Sequence, residues 1–270
     1  MNTVQDRRRI LSKRIVQSEH MLGVPGVRHG ISSRVEGMGK AHGNVAFSPP
    51  RDQTDAWEMR RDWCADLDLD PEAIVTAGQV HGATTLIADE ASKGLGARPG
   101  SGRLGLGDAL LTRDVGPVLL SLHADCLPIL LVDPDLPAVA AVHAGWRGTV
   151  ANVSGAAVSR MKESFGSDPA RMLAFLGPAI CRLCYEVGTD VTDAWAAIAG
   201  NDDQLAIGTE GGGVRFDLHA ANKFLLLQAG VDPNNIDASS ICSRCGGDEW
   251  FSHRGQGPET GRYGAFIALV

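Results

Sequence analysis

The chain has 270 residues, 44% hydrophobic and 21% charged, a globular composition long enough to bury a substantial core. Its formal net charge of −7 and aromatic content of 5% supply neither the basic face nor the stacking surface that a nucleic-acid binder needs. Six cysteines in a core-rich chain of this size fit reduced thiols and a cytoplasmic protein rather than a disulfide-framed secreted one.

In chain order, Arg7-Arg8-Arg9 with Lys13 and Arg14 reads as a solvated tail within a loosely ordered segment, residues 1–27. No apolar run of about 7–15 residues follows it, as a secretory signal would require. Thr54 to Leu69 reads as a helix that Thr54 can cap, with Trp57, Arg60, Cys64 and Leu67 on one face. Ala73 to Val80 reads as a strand ending at His81-Gly82, and residues 93–107 as a glycine-rich loop. Within that loop Gly100-Ser101-Gly102-Arg103-Leu104-Gly105 matches G-x-G-x-x-G, but it lacks the preceding strand and following helix of a dinucleotide site.

Asp108–Thr112, Pro117–His123, Leu127–Val132 and Ala138–Val142 are short apolar runs broken by turn residues, which predicts strands buried on both faces. The stretch from Pro117 to Val132 carries His123, Asp125 and Cys126 and is too short and polar to span a membrane. Thr149 to Phe165 reads as a helix stopped by Gly166. Strands follow near Met172–Leu176, Val214–Leu218, Ile236–Ile241 and Tyr263–Val270, with helices at Asp190–Ala199 and Ala220–Ala229. Strands and helices mix without strict alternation and no linker divides them, so residues 28–270 are expected to form one α/β domain, layered, with mixed sheets.

Three polar residues fall where strands should end: His81, Cys126 and His143. Two imidazoles and one thiolate suit zinc, and three protein ligands leave the fourth position open, as in catalytic sites. Hydrogen-bonded core histidines and a buried thiol fit the same spacing, since no close ligand pair such as H-x-x-x-H is present. Cys181-x-x-Cys184 and Cys242-x-x-Cys245 are two further C-x-x-C pairs, but their separation is far longer than that of a zinc knuckle; redox pairs or buried thiols fit as well.

Several segments occur in a telling order: Gln79-Val80-His81-Gly82, Asp108-Ala109-Leu110-Leu111-Thr112, Ala124-Asp125-Cys126-Leu127-Pro128, and His143-Ala144-Gly145-Trp146-Arg147-Gly148. Gly177-Pro178-Ala179-Ile180, Cys184-Tyr185-Glu186-Val187-Gly188, Phe251-Ser252-His253-Arg254 and Thr260-Gly261-Arg262 complete the series. Together they closely resemble the YfiH/laccase-domain family, also called the multicopper polyphenol oxidase family, from about Arg28 to the C-terminus. The resemblance implies a layered α-β-β-α fold like that of a bacterial deamidase toxin. It implies a metal, zinc with copper as the alternative, on His81, Cys126 and His143. Implied activities are phosphorolysis of adenosine, inosine, guanosine and methylthioadenosine, and adenosine deamination. Copper-dependent polyphenol oxidation and cysteine amidohydrolase editing of peptidoglycan precursors are the alternatives.

Phosphorolysis needs phosphate held beside a cationic sugar, and arginine binds phosphate oxygens in pairs. Arg147, Arg60, Arg254 and Arg262 are the candidates, with Asn44 on a loop where the family pattern is altered. Asp125 is the candidate for orienting a ligand or accepting a proton, while His123 reads as a satisfied core histidine. The expected partners are a nucleoside and phosphate, with no nucleic acid or membrane, and the chain is expected to act as a monomer or homodimer. A full multicopper oxidase would need H-x-H pairs, and none of the eight histidines forms one.

Overall fold

The computed structural model describes residues 15–199, 206–208 and 213–270, so the basic cluster from Arg7 to Arg14 lies outside the described residues. The strands are β1 (Ile15–Val16), β2 (Val27–Ser32), β3 (Ile74–Val75), β4 (Thr85–Ile87), β5 (Ala109–Thr112), β6 (Val118–His123) and β7 (Leu127–Asp133). They continue as β8 (Ala138–Ala144), β9 (Leu173–Leu176), β10 (Glu186–Val187), β11 (Ala206–Gly208), β12 (Val214–Phe216), β13 (Ile236–Ala238) and β14 (Tyr263–Leu269). The main helices are α1 (Gln53–Leu67), α2 (Trp146–Val150), α3 (Val153–Phe165), α4 (Thr189–Ala199) and α5 (Leu218–Gln228). One sheet runs β1-β2-β14-β6-β3, a second β13-β9-β7-β8-β5-β4, and a small third β10-β12-β11. Both large sheets are mixed, because β3–β6, β4–β5 and β9–β13 pair parallel and the remaining pairs antiparallel.

Period-2 alternation along the central strands builds the layers. In β7, Leu127, Ile129 and Leu131 face one core while Leu130 and Val132 face another; β8 repeats this with Ala140 and Val142 against Val139 and Ala141. The inner core lies between the sheets, where Leu130, Val139 and Phe175 meet Ile31, Leu119, Ala265 and Ile267. Outside the six-stranded sheet, α3 and α5 cover it with Val153, Ala157, Met161, Ala221 and Leu225. Outside the five-stranded sheet, α1 lays Met59, Trp63 and Leu67 on Val118, Leu120 and Phe266. The result is helix–sheet–sheet–helix, the layering that the resemblance implies. Among the described residues no helix is long and apolar enough to cross a membrane.

Local chemistry moves several boundaries. Helix α1 is capped not by Thr54 but by Asp52, whose carboxylate accepts the N–H groups of Thr54 and Asp55. The strand expected over Ala73–Val80 stops at Val75. The expected helix from Thr149 to Phe165 breaks at Asn152, which adopts a left-handed φ of +61° and caps α3 through Gly155 N–H. His143 lies inside β8 rather than beyond its end.

Residues 15–27, expected to be loosely ordered, are not. Ile15 and Val16 pair with Ser32 and Ile31, and Met21 is fully buried. The partner strand β2 hides in the sequence because it carries Arg28, His29 and Gly30. Glycine is required at Gly30, where a side chain would come within 2.5 Å of Leu67 and 2.7 Å of Ile15. His29 is 2% exposed, and its Nε2 accepts the Ser18 N–H at 2.9 Å. Burial pushes its imidazole down from 6.5 to about 4.

Acid should therefore weaken the fold through this contact. Above pH 6.5 the ring is neutral folded or unfolded, and its full contribution is present. Between 6.5 and about 4 the unfolded chain takes up a proton that the folded chain refuses, so stability falls as pH falls, by up to roughly 3 kcal/mol from this group. His219 and His123 are shifted in the same direction, so His29→Gln isolates the share of one residue. Urea unfolding at pH 7 and pH 4 should show a smaller acid loss in His29→Gln than in the wild type; equal losses would reject the assignment.

Candidate metal centre

Three segments far apart in sequence bring the ligand atoms of His81, Cys126 and His143 within 4.8 Å of one another. His81 holds a left-handed φ of +60°, a conformation that costs a non-glycine residue about 1 kcal/mol or more. Asp108 holds it there: its carboxylate accepts the successive N–H groups of Val80, His81 and Gly82 at 3.2, 3.0 and 2.7 Å. The same carboxylate accepts His143 Nδ1–H at 2.9 Å, and Asp108 O accepts the His143 N–H at 2.7 Å. With Nδ1 committed, Nε2 is the His143 atom free to coordinate. Cys126 immediately precedes β7 and follows Asp125, itself at φ +83°. Gly145 lets the turn after β8 close over the cluster, since a side chain there would approach His81 Nδ1 to 2.8 Å and Cys126 Sγ to 3.0 Å.

The electrostatics suit a thiolate ligand. Burial opposes ionisation of Cys126, but His143 and His81 outweigh it and bring the thiol down to about 6. Burial equally opposes charge on His143, and there Cys126 and Asp108 outweigh it, raising the imidazole to about 9. Burial would raise the Asp108 carboxyl too, yet the hydrogen bonds from His143 and Gly82 hold it below its ordinary range. Two imidazoles and an ionised thiol form a donor set that fits zinc or copper. His123 is not a fourth ligand: it is buried, and its nitrogens are engaged by Ser121 Oγ at 2.8 Å and Cys126 O at 3.2 Å.

The cluster opens into a cavity of about 590 Å³, a size that suits a small-molecule ligand. Gln79, Trp146, Arg147, Tyr185, His253, Arg254 and Arg262 line it beside the three candidate ligands. Arg147 lies 4.3 Å over the Trp146 ring and Arg254 5.3 Å over the Tyr185 ring. Arg254 also donates to Glu186 O, and Arg262 to the carbonyls of Thr260 and Gly261. Among the described residues none of these three arginines is in an ion pair. They are cations facing the cavity, and none of their guanidinium groups is held by a carboxylate.

Three sequence candidates are placed elsewhere or otherwise occupied. Arg60 is 2% exposed and outside the cavity; its guanidinium donates to the carbonyls of Val45, Gly96 and Ala97 and stacks on Phe47. It joins α1 to two loops, away from the cavity. Asn44 is fully buried, and its amide bonds Ala46 and the Arg262 N–H, so it positions cavity residues without touching the cavity. Asp125 borders the cavity, but its oxygens accept Ser243 Oγ–H at 2.7 Å and Arg254 N–H at 2.6 Å, and so pin loops rather than orient a ligand. That orienting role falls to Asp108, which the sequence reading quoted within a motif without assigning it chemistry. Tyr185 and Trp146 were also missed as cavity residues, although both stand inside quoted motifs. The two C-x-x-C pairs, despite their separation in sequence, meet in space, with all four sulfurs within 4.8 Å.

Comparison with known proteins bears on the family and the fold. Residues 28–270 match the family described as multi-copper polyphenol oxidoreductase laccase. A relative named adenosine deaminase RL5, from an unknown prokaryotic organism, is 38% identical over 197 residues, covering 73% of this chain and 75% of its own. A purine nucleoside phosphorylase of Bacteroides thetaiotaomicron is 30% identical over 254 residues, covering 93% and 94%. The crystal structure of a hypothetical protein YfiH from Bacillus licheniformis superposes with a TM-score of 0.89 at 27% identity, over 95% of this chain and 97% of that one.

Replacing each candidate ligand separately, as His81→Ala, Cys126→Ala and His143→Ala, should remove the metal held by this cluster, read by elemental analysis as a lower metal content than wild type, while circular dichroism stays native. Full metal in all three variants would reject the ligand set. Asp108→Asn should weaken metal affinity about 10–100-fold in a chelator competition, because the charge that holds His143 in place is gone. Asp125→Asn, acting on loops, should lower the melting temperature with little change in metal affinity.

Proposed function

Because this chain belongs to the multi-copper polyphenol oxidoreductase laccase family, we propose that it is a metal-dependent purine nucleoside phosphorylase that also deaminates adenosine. One observation carries the reading: a single cavity joins a His–Cys–His ligand set to three arginines whose guanidinium groups make no ion pair. The names of the two relatives support both activities.

Phosphorolysis develops positive charge on ribose while phosphate approaches and the purine leaves with a proton. Arg147, Arg254 and Arg262 hold phosphate oxygens through paired N–H donors and balance their charge. Trp146 and Tyr185 offer flat apolar faces to the nucleoside. Burial pushes the Tyr185 hydroxyl up, so it stays protonated at neutral pH and can offer the leaving base a hydrogen bond. Asp108 keeps the proton on His143 Nδ1 and turns Nε2 toward the cluster. A zinc ion on His81, Cys126 and His143 would supply Lewis acidity and make water in the cavity acidic enough for deamination.

The Asp108–His143 contact and the lowered Cys126 thiol also favour a second reading, a Cys–His–Asp amidohydrolase that attacks amides through the thiolate. Metal separates the two: nucleoside turnover should need it, whereas amide turnover should rise when it is stripped.

The direct test incubates metal-loaded protein with adenosine and inosine, with and without phosphate, and resolves the products. Free base with ribose 1-phosphate, only when phosphate is present, is expected from both substrates, and inosine from adenosine in either condition. No turnover of either nucleoside would overturn the assignment. In Arg147→Lys the KM for phosphate should rise about tenfold or more, through loss of a charge-assisted pair of hydrogen bonds. Deamination should change much less, and the melting temperature should hold because no ion pair is broken. Parallel loss of both activities would place Arg147 in the scaffold instead.

A further inference from the structure

Cys181 caps and Cys184 ends a short turn, Arg182–Cys184, after β9, while Cys242 and Cys245 lie in the turns after β13. A parallel bridge between Ala179 and Cys242 fastens the two turns together, through Ala179 N–H to Ile241 O and Ser243 N–H to Ala179 O. All four Sγ atoms fall within 4.8 Å of one another, with Cys184 Sγ and Cys245 Sγ 3.4 Å apart. The four thiols are free. Cys242 Sγ also accepts two backbone N–H groups, from Cys181 at 3.2 Å and Cys245 at 3.4 Å.

We propose that these four cysteines form a second metal site, a closed tetrathiolate site for a structural zinc ion, separate from the His81–Cys126–His143 cluster. A tetrahedral ion with zinc–sulfur bonds of about 2.3 Å sets its sulfurs ~3.8 Å apart, within the observed spacing. Disulfides would instead require sulfur pairs at about 2.05 Å. An all-thiolate tetrahedral set selects zinc or iron. Four protein ligands leave no open position, so the site binds metal without catalysing. Backbone N–H groups aimed at Cys242 Sγ stabilise a thiolate there and fix its direction, as outer hydrogen bonds do for metal ligands.

The location gives this ion a task. Cys184 precedes Tyr185, whose ring lines the cavity, and Ser243, between Cys242 and Cys245, donates to Asp125. Arg244 Nη1 donates to Cys184 O and crosses the same gap. Cross-linking the two turns therefore locks the cavity wall that presents Tyr185 to the loop that holds Asp125 and the Arg254 N–H. This inference does not depend on the reaction catalysed.

Metal stoichiometry tests it. Chain expressed with zinc and purified without reductant or chelator is analysed by elemental analysis, alongside Cys126→Ala and Cys184→Ser/Cys245→Ser. Cys126→Ala should retain one zinc per chain, and X-ray absorption at the zinc edge should show four sulfurs at about 2.3 Å. The double variant should lose that zinc while keeping the other, and limited proteolysis should cut faster near Leu183 and Arg244. If the double variant does not fold, the absorption spectrum of Cys126→Ala still decides. Absence of zinc from Cys126→Ala, disulfides among the four cysteines by mass spectrometry, or iron in place of zinc would each overturn the proposal.

Discussion

The Asp108 carboxylate receives four donors: the backbone N–H groups of Val80, His81 and Gly82, and the Nδ1–H of His143. It can do so because β5 and β8 pair antiparallel, with Ala109 opposite Val142, which sets Asp108 against His143 one step further along. A buried carboxylate is costly unless its oxygens are satisfied, and here satisfying them folds the loop after β3 into the strained turn that projects His81. Charge, ring orientation and loop conformation are thus set by one side chain. Remove this side chain and the N–H groups of Val80, His81 and Gly82 lose their acceptor while His143 loses its orientation.

A second carboxylate does comparable work on the other side of the cavity. Asp125, also at a left-handed φ, accepts from Ser243 and from the N–H of Arg254, so residues more than 100 positions downstream close over the end of β6. The central strands β5, β7, β8 and β14 are buried on both faces. The cavity is therefore made of loops whose positions are set by polar contacts, and both carboxylates sit where such loops leave the sheets. The four-cysteine cluster belongs to this same wall: Cys184 adjoins Tyr185, over which Arg254 lies, and Ser243, between Cys242 and Cys245, shares Asp125 with the Arg254 N–H.

Apolar alternation, a local property with period two, was readable directly. The runs that became β5 to β8 and β14 could be placed because each strand buries both faces, and little else buries such a pattern. Strand β2 escaped notice because its burial depends on what covers it: His29 is hidden by Ser18, and Gly30 by Leu67 and Ile15. Polar residues in a strand look exposed until their partners are known.

The donor types at His81, Cys126 and His143 were likewise legible, since their chemistry belongs to the residues themselves. The destinations of the other polar groups were not. Arg60 and Arg147 are equivalent as side chains, yet the carbonyls of Val45, Gly96 and Ala97 claim one, while the other stacks on Trp146 at the cavity edge. Asp108, for which no role was expected, takes the orienting contact expected of Asp125, and cysteines 61 residues apart become neighbours. Burial pattern is written in the order of the chain, and the sequence by itself determined it. Which hydrogen-bond partners reach a given charge depends on segments far away in that order, and only the tertiary structure decides it.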